Sequence, residues 1–309
     1  MTAPAVSIVV PTRDGAATLP ELLDGIRAQR YDGAVEVVAV DSASTDGTRA
    51  LLDRAADLVL PIAPAQFDHG LTRNLGIARS SGALVVLIVQ DARPASEEWL
   101  SALVEPLRRD ERVAGSFARQ VPRPDASGIS RESLLRWIAA GTEPRTVAVN
   151  ADQLQAMSPT ERLYHCAFDN VCACIRRDVW QQHPFRATPI GEDIAWAHEV
   201  LVAGHRLAFA PGAVVVHSHD RPLRYEFQRT RDLHVRLYDL FGLQTIPSLP
   251  HLARAIAATV PTHLRWEPAL RRRPRALGLA VAWPLAQYLG GQDGMRARRR
   301  RVAESTCAS

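Results

Sequence analysis

The chain has 309 residues, a formal net charge of +4 and an apolar fraction of 47%, enough for one large α/β domain with an accessory piece and a sizeable core. It contains no lysine, which excludes chemistry that needs a Schiff-base or P-loop lysine. Its cysteines, Cys166, Cys172, Cys174 and Cys307, form neither a disulfide framework nor a zinc spacing, so a reducing cytoplasmic setting is expected.

Short apolar runs at 6–10, 35–40, 58–60 and 84–89 alternate with amphipathic stretches, the pattern of a mostly parallel sheet covered by helices. The first run is short and follows an uncharged start, so it reads as a strand and not as a secretory signal. Thr18 is placed to cap a helix whose Leu19, Leu22, Leu23 and Ile26 share one face, and Ser44 or Thr45 to cap a helix over 48–56. Proline, glycine and charge accumulate over 122–146, which predicts a mobile insert with helical character at 131–140. Order returns with a strand at 171–175, a helix at 192–203, two short strands at 206–209 and 213–216, and helices from Leu223 onward. The apolar stretch 276–289 is interrupted by Pro284 and is shorter than the roughly 20 residues of a spanning helix. Arg271, Arg272, Arg273, Arg275 and the arginines of 296–301 crowd the end of the chain. That cluster suits an anionic membrane surface or a diphosphate-bearing partner. Homodimerisation through the late helices is a further expectation, and no nucleic-acid partner is expected.

Ligands of open α/β sheets sit beyond the carboxyl ends of the strands, where this chain places Pro11, Thr12, Arg13 and Asp14, then Asp41 and Ser42, then Gln90 and Asp91. The segments VSIVVPTRD at 6–14, VDSASTDGT at 40–48, FDHGLTRNLG at 67–76, VQDA at 89–92 and EDIAWA at 192–197 resemble, in this order, those of family 2 glycosyltransferases. The last three of these segments look like the bacterial rhamnosyltransferase-like branch, and the similarity covers roughly 5–230. It implies an α/β fold of GT-A type over 1–230, a Rossmann-like, mostly parallel sheet flanked by helices, with a helical, Arg-rich C-terminal region at 231–309. It further implies inverting transfer of a hexose or 6-deoxyhexose, rhamnose first, from a nucleoside-diphosphate sugar to a hydroxyl of a glycan or lipid-linked acceptor. A UDP- or GDP-sugar transferase and a catalytically degenerate, nucleotide-sugar-binding scaffold subunit are the alternatives on the same fold.

The residue types suit that chemistry. Asp41 can accept from a base imide or ribose hydroxyls, with the backbone at Pro11 and Thr12 lining the base pocket and Arg13 and Gln90 flanking it. The planar fork of Arg73 can meet the base or the diphosphate. A departing nucleoside diphosphate develops negative charge that a divalent metal neutralises as a Lewis acid, and the resemblance implies Mn²⁺ or Mg²⁺. Gln90, Asp91 and Ala92 stand where the family commonly carries a D-x-D pair, which leaves Asp91 as a single carboxylate. His217 and His219 project to the same side of an extended backbone and would complete the ligand set, better for manganese than for magnesium; an H-x-H pair can equally organise its own loop. Asp193 resembles the family's base, which takes the proton of the acceptor hydroxyl, although a carboxylate there can also cap a helix. The resemblance implies that the segment of Asp169 and Asn170 lines the sugar or acceptor pocket, where Asp169 can bind sugar hydroxyls or cap local backbone. Glu192 and Trp196 are assigned to the same pocket, Trp196 as a stacking face or as packing, and Arg224 can supplement a metal at the diphosphate.

Overall fold

Strands β1 (Val6–Thr12), β2 (Val35–Asp41), β3 (Leu58–Pro61) and β4 (Leu84–Ile88) form a parallel block in the order β3-β2-β1-β4. The near-continuous Val, Ile and Leu content of β1, β2 and β4 reflects cover on both faces; every residue of β4 is buried, whereas the edge strand β3 is partly exposed. Helices α1 (Leu19–Arg27), α2 (Thr48–Ala55) and α3 (His69–Ala78) make the crossovers. One face packs Ile8 and Val10 with Leu19, Leu22 and Leu23 of α1 and Leu52 of α2. On the other, Gly76 of α3 lies so close to the sheet that a Cβ there would stand 2.4 Å from Val9 Cγ1. This computed structural model describes residues 3–307 of the chain, and side chains as far as 304.

The sheet continues beyond β4 through β8 (Cys172–Arg176), β6 (Val113–Val121) and β9 (Arg206–Val216) to the two-residue β5 (Arg93–Pro94), with β7 (Arg145–Val147) also on β9. β8 runs antiparallel to both β4 and β6, whereas β6 and β9 are parallel. Helix α4 (Trp99–Arg109) buries Trp99, Leu100, Leu103 and Leu107 in the main core. Between β6 and β8 come α5 (Gly128–Leu135), α6 (Ala151–Ala156) and α7 (Pro159–His165); α8 (Arg177–Gln182) and α9 (Glu192–Val202) follow β8.

The elements that the sequence predicts are present with four differences, while α4, α6 to α8 and β5 to β7 are not among those predicted. Thr18 does not cap α1; its hydroxyl donates to the Gly15 carbonyl at 3.4 Å, and Pro20 in the first turn fixes the helix start instead. Gly47, at φ 96°, precedes α2 while the Ser44 and Thr45 hydroxyls are taken by Asp41 and Asp14. The 122–146 stretch folds into α5, a 3₁₀ turn over Ile138–Ala140 and the start of β7. The two short strands expected at 206–216 are one strand, β9, with an irregularity: Ala118 pairs Ala210 but Arg119 pairs Val214, so Pro211, Gly212 and Ala213 are extra.

The chain forms two compact units. The first runs to Arg123 and takes in Leu134–Ala156 and His165–His217; the second holds Pro124–Ser133, Met157–Tyr164 and the chain from Ser218 on. In the second, α10 (Leu223–Phe241) and α11 (Leu249–Trp266) pack on α12 (Arg273–Cys307). Gly290 and Gly294 let α12 approach α10, since a Cβ at either would meet Arg231 O at 2.4 Å or Tyr238 Cβ at 2.7 Å. Arg231 pairs with Asp293 at 2.5 Å across the same contact. No helix among the described residues is long and apolar enough to cross a membrane.

Candidate functional site

The carboxyl ends of β1 and β2 are locked together by side chains. Asp41, 4% exposed, accepts from Thr12 Oγ1 at 3.1 Å, Ser44 Oγ at 2.5 Å and Ser44 N at 3.2 Å, which leaves one lone pair of its carboxylate. Asp14 accepts from Thr45 N at 2.8 Å, and Asp46 from Ala16 N at 2.9 Å and Thr48 Oγ1 at 2.6 Å. Both connecting loops carry a residue in the left-handed region, Asp14 at φ 43° and Ala43 at φ 54°, backbone strain that these bonds sustain. The exposed Arg13 is gripped through its main chain: its N donates to Gln90 Oε1 at 2.8 Å and its carbonyl accepts from Gln90 Nε2 at 2.9 Å. Gln90 thereby ties the end of β4 to the end of β1. Ser42 Oγ is buried with no hydrogen-bond partner, a polar atom at the strand ends that a bound ligand can satisfy.

A second group forms where β5 meets the end of β9. Arg93 pairs Val216, so the residues just before β5 and just after β9 face each other. Asp91 Oδ1 lies 3.7 Å from His217 Nε2, and Asp91, His217 and His219 each offer a ligand atom, all within 4.8 Å of one another. Ligands about 2.1 Å from one ion lie up to about 4.2 Å apart, so a contraction of roughly half an ångström would close this set. One carboxylate and two imidazoles leave coordination positions for diphosphate oxygens and suit manganese among the common divalent ions.

From His217 a hydrogen-bonded path runs across the sheet. His217 Nδ1 lies 3.3 Å from Gln120 Oε1, Gln120 Nε2 donates to Asp169 Oδ2 at 2.7 Å, and Trp137 Nε1 donates to the same oxygen at 3.0 Å. Asp169 Oδ1 accepts from Val171 N at 2.9 Å. Asp169 in turn acts on Asp193, half-buried in the first turn of α9. Burial, then the negative charges of Glu192 and Asp169, push the Asp193 carboxyl up to about 8. Asp193 accepts from Ile194 N at 2.8 Å and Asn170 N at 3.3 Å, and Gly191 occupies the N-cap position in the left-handed region.

Glu192 behaves oppositely. Burial opposes its ionisation, but Arg73, His69 and Asn170 outweigh it and hold the carboxyl below its usual range. Arg73 Nη1 lies 2.9 Å from Glu192 Oε1 and donates to the His69 carbonyl at 2.9 Å, while Asn170 Nδ2 donates to Glu192 Oε1 at 3.2 Å. Arg73 is 4% exposed and its Nε is buried without a partner.

Two sequence expectations are corrected by this packing. Trp196 does not line a sugar pocket: it is 2% exposed, packed on Phe168 and Phe185, with Nε1 donating to the His183 carbonyl at 2.9 Å. Its apolar neighbours on α9 draw it into the core. Glu192, 6% exposed, is engaged by Arg73 and Asn170 and is not open to a sugar. Arg224 is exposed in the first turn of α10, in the second unit. The sequence reading overlooked Gln120 and the interlocking role of Asp14 and Asp46; the Ser-Thr-Asp-Gly run after β2, rich in side chains that bond backbone, carried the signal for the latter.

The family description "Glycosyl transferase family 2" matches residues 7–171, more than half of the chain. The chain belongs to glycosyl transferase family 2. This transferase is 30% identical over 241 residues to the O-antigen chain rhamnosyltransferase WbaN of Salmonella anatum, covering 74% of this chain and 71% of that one. It is 26% identical over 232 residues to the O-antigen chain rhamnosyltransferase RfbN of Salmonella typhimurium, with coverages of 74% and 70%. Among solved structures, it is similar to the mannosyltransferase PcManGT from Pyrobaculum calidifontis in complex with GDP-Man and Mn²⁺, with a TM-score of 0.55, 20% identity and coverage of 99% of this chain and 82% of that one. It is also similar to glucosyl-3-phosphoglycerate synthase from Mycobacterium tuberculosis with Mn²⁺, UDP and glucosyl-3-phosphoglycerate, with a TM-score of 0.55, 21% identity and coverage of 80% and 84%. These likenesses show the GT-A fold of the transferase.

Proposed function

We propose that this transferase moves a hexose or 6-deoxyhexose, rhamnose foremost, from a nucleoside-diphosphate sugar to a hydroxyl of a glycan or lipid-linked acceptor, with inversion at the anomeric carbon. The observation that carries this reading is the contact path Asp91–His217–Gln120–Asp169 and the action of Asp169 on Asp193, which links the cation ligands to a carboxyl poised as a base. The rhamnosyltransferase relatives supply the choice of sugar. Residues 1–230 are assigned donor binding and chemistry, and 231–309 surface docking.

In this reading Asp41, Thr12 and the backbone at Pro11 and Arg13 receive the nucleoside, and Asp91, His217 and His219 would hold Mn²⁺ or Mg²⁺ against the diphosphate. That ion supplies Lewis-acid neutralisation of the leaving group. Asp193, in its deprotonated form, takes the proton of the acceptor hydroxyl as it attacks. Asn170 Oδ1, buried with no hydrogen-bond partner, is left to meet a sugar hydroxyl. The test is a thermal-shift panel of nucleoside diphosphates with and without Mn²⁺ on wild type and Asp91→Asn. Stabilisation by one nucleotide, strengthened by Mn²⁺ only in wild type, is expected; Mn²⁺-independent stabilisation in both would defeat the cation assignment.

Peripheral membrane docking belongs to the same reading. Over 241–292 the only acidic residue is Glu267, and it is 3% exposed. Arg254, Arg265, Arg271 and Arg273 are exposed in that stretch together with Leu249, Trp266, Leu270, Leu277 and Val281, a composition suited to an anionic interface. Sedimentation with anionic vesicles should carry the protein down, and Trp266→Ser with Leu270→Ser should weaken it; equal sedimentation with neutral vesicles would defeat the electrostatic part.

A further inference from the structure

We propose that Gln120 is a positioning residue that holds His217 as its Nδ1–H tautomer, turning the Nε2 lone pair toward Asp91. The proposal rests on the cation-binding reading given above. It follows from the one-way logic of donors and acceptors along the path. The Trp137 indole N–H can only donate, and it does so to Asp169 Oδ2 at 3.0 Å. Val171 N occupies Asp169 Oδ1 at 2.9 Å. A carboxylate held by such donors accepts on both oxygens, so the Gln120 atom 2.7 Å from Oδ2 must be the NH₂ group.

That choice fixes the other end of the amide. Gln120 Oε1 faces His217 Nδ1 at 3.3 Å and, being an acceptor only, requires the proton on Nδ1. A neutral imidazole then carries its lone pair on Nε2, the nitrogen 3.7 Å from Asp91 Oδ1. Gln120 is 3% exposed, which leaves little water to offer the amide another partner. β6 sets the geometry, because its register with β9 places Gln120 opposite Val215, two residues before His217. Backbone bonding adds a second constraint, His217 N donating to the Val121 carbonyl at 2.9 Å. Hydrogen-bond partners of this kind orient a ligand imidazole and fix its tautomer.

The assignment is tested on the full-length chain by side-chain ¹⁵N NMR of His217 without metal, its signal identified by loss in His217→Gln. Mn²⁺ binding is then followed by EPR of the free ion. At a pH where the ring is neutral, wild type should show the Nδ1–H tautomer. Gln120→Met, of similar length but without the amide, should mix the tautomers and weaken Mn²⁺ binding by about 10–100-fold. Asp169→Asn keeps Gln120 but lets its amide turn over, and should mix the tautomers likewise; this variant decides the matter if Gln120→Met does not fold. An Nε2–H tautomer in wild type, or unchanged tautomer and affinity in the variants, would overturn the proposal. Failure of wild type to bind Mn²⁺ at all would defeat the cation reading instead, while the NMR measurement still decides the tautomer.

Discussion

Glu192 and Asp193 are adjacent in the chain, yet their surroundings drive them to opposite protonation states. Arg73, 2.9 Å from Glu192, keeps that carboxylate ionised, and its charge adds to burial in raising Asp193 to about 8. A base so placed must lose its proton before it can act. The transfer rate at low acceptor concentration should therefore rise about tenfold per pH unit up to roughly pH 8 and level off above it. Asp193→Asn should lose about 10²-fold or more of activity and keep nucleotide binding. A flat wild-type profile between pH 6 and 8 would remove Asp193 from this role.

The same shift predicts a stability change of definite sign. A carboxyl raised from 3.8 to about 8 on folding contributes stability that is complete below the unfolded value and is lost as pH climbs through the folded one. Asp193→Asn has no such loss. Its Tm advantage over wild type should open above about pH 4 and reach its full size near pH 8 to 9. Scanning fluorimetry across that range is sufficient, and an asparagine variant less stable than wild type at pH 9 would contradict the assignment.

Arg73 and Glu192 have side-chain exposures of 5% and 7%, so breaking the pair leaves an uncompensated buried charge. Arg73→Met should cost about 3–5 kcal/mol in urea unfolding. Adding Glu192→Leu should recover part of that cost, because the stranded carboxylate is gone. If the double variant is no more stable than Arg73→Met alone, the pair is not the origin of the effect.

Trp196 provides a contrast with the sugar-binding role expected from sequence. Trp196→Phe removes the bond to the His183 carbonyl and some buried volume, which should cost about 1–3 kcal/mol. KM for donor and acceptor should stay within twofold of wild type, roughly the scatter of a neutral change; a larger selective rise in KM would return the indole to the binding pocket.

Gly76→Ala sets two effects against each other. Alanine favours a helix over glycine by about 1 kcal/mol, but its methyl would sit 2.4 Å from Val9 Cγ1 and 3.3 Å from Val40 Cγ2, and overpacking costs about 1–3 kcal/mol. Overpacking should win, because both neighbours belong to the buried interior of the sheet. A lower midpoint in urea is expected, and a raised one would show that α3 can shift away from β1.

Strands β1, β2 and β4 were legible because residues covered on both faces must be apolar, and their polar ends were legible because ligands gather where such strands stop. The Glu-Asp pair at the start of α9 was legible through the family resemblance of the segment 192–197. Capping was not: Ser44 and Thr45 are good capping residues by type, but their partners lie across a loop–loop contact whose members are separated by about thirty positions. Gln120 was hidden for a related reason. It sits inside a largely apolar strand, and its importance depends on a lateral register with β9 that no local periodicity encodes.

The irregularity in β9 separates the strand into two independently seated halves. Val214, Val215 and Val216 are fixed by Arg119, Gln120 and Val121 on one side and by Arg93 and Pro94 on the other, so the location of His217 owes nothing to the residue count over 211–213. A methyl on Gly212 would find only Ala102 Cβ, at an ordinary 3.6 Å. Insertions or deletions at this one spot should be tolerated by the imidazole downstream, whereas a single-residue slip among 214–216 would turn it to the opposite face of the sheet.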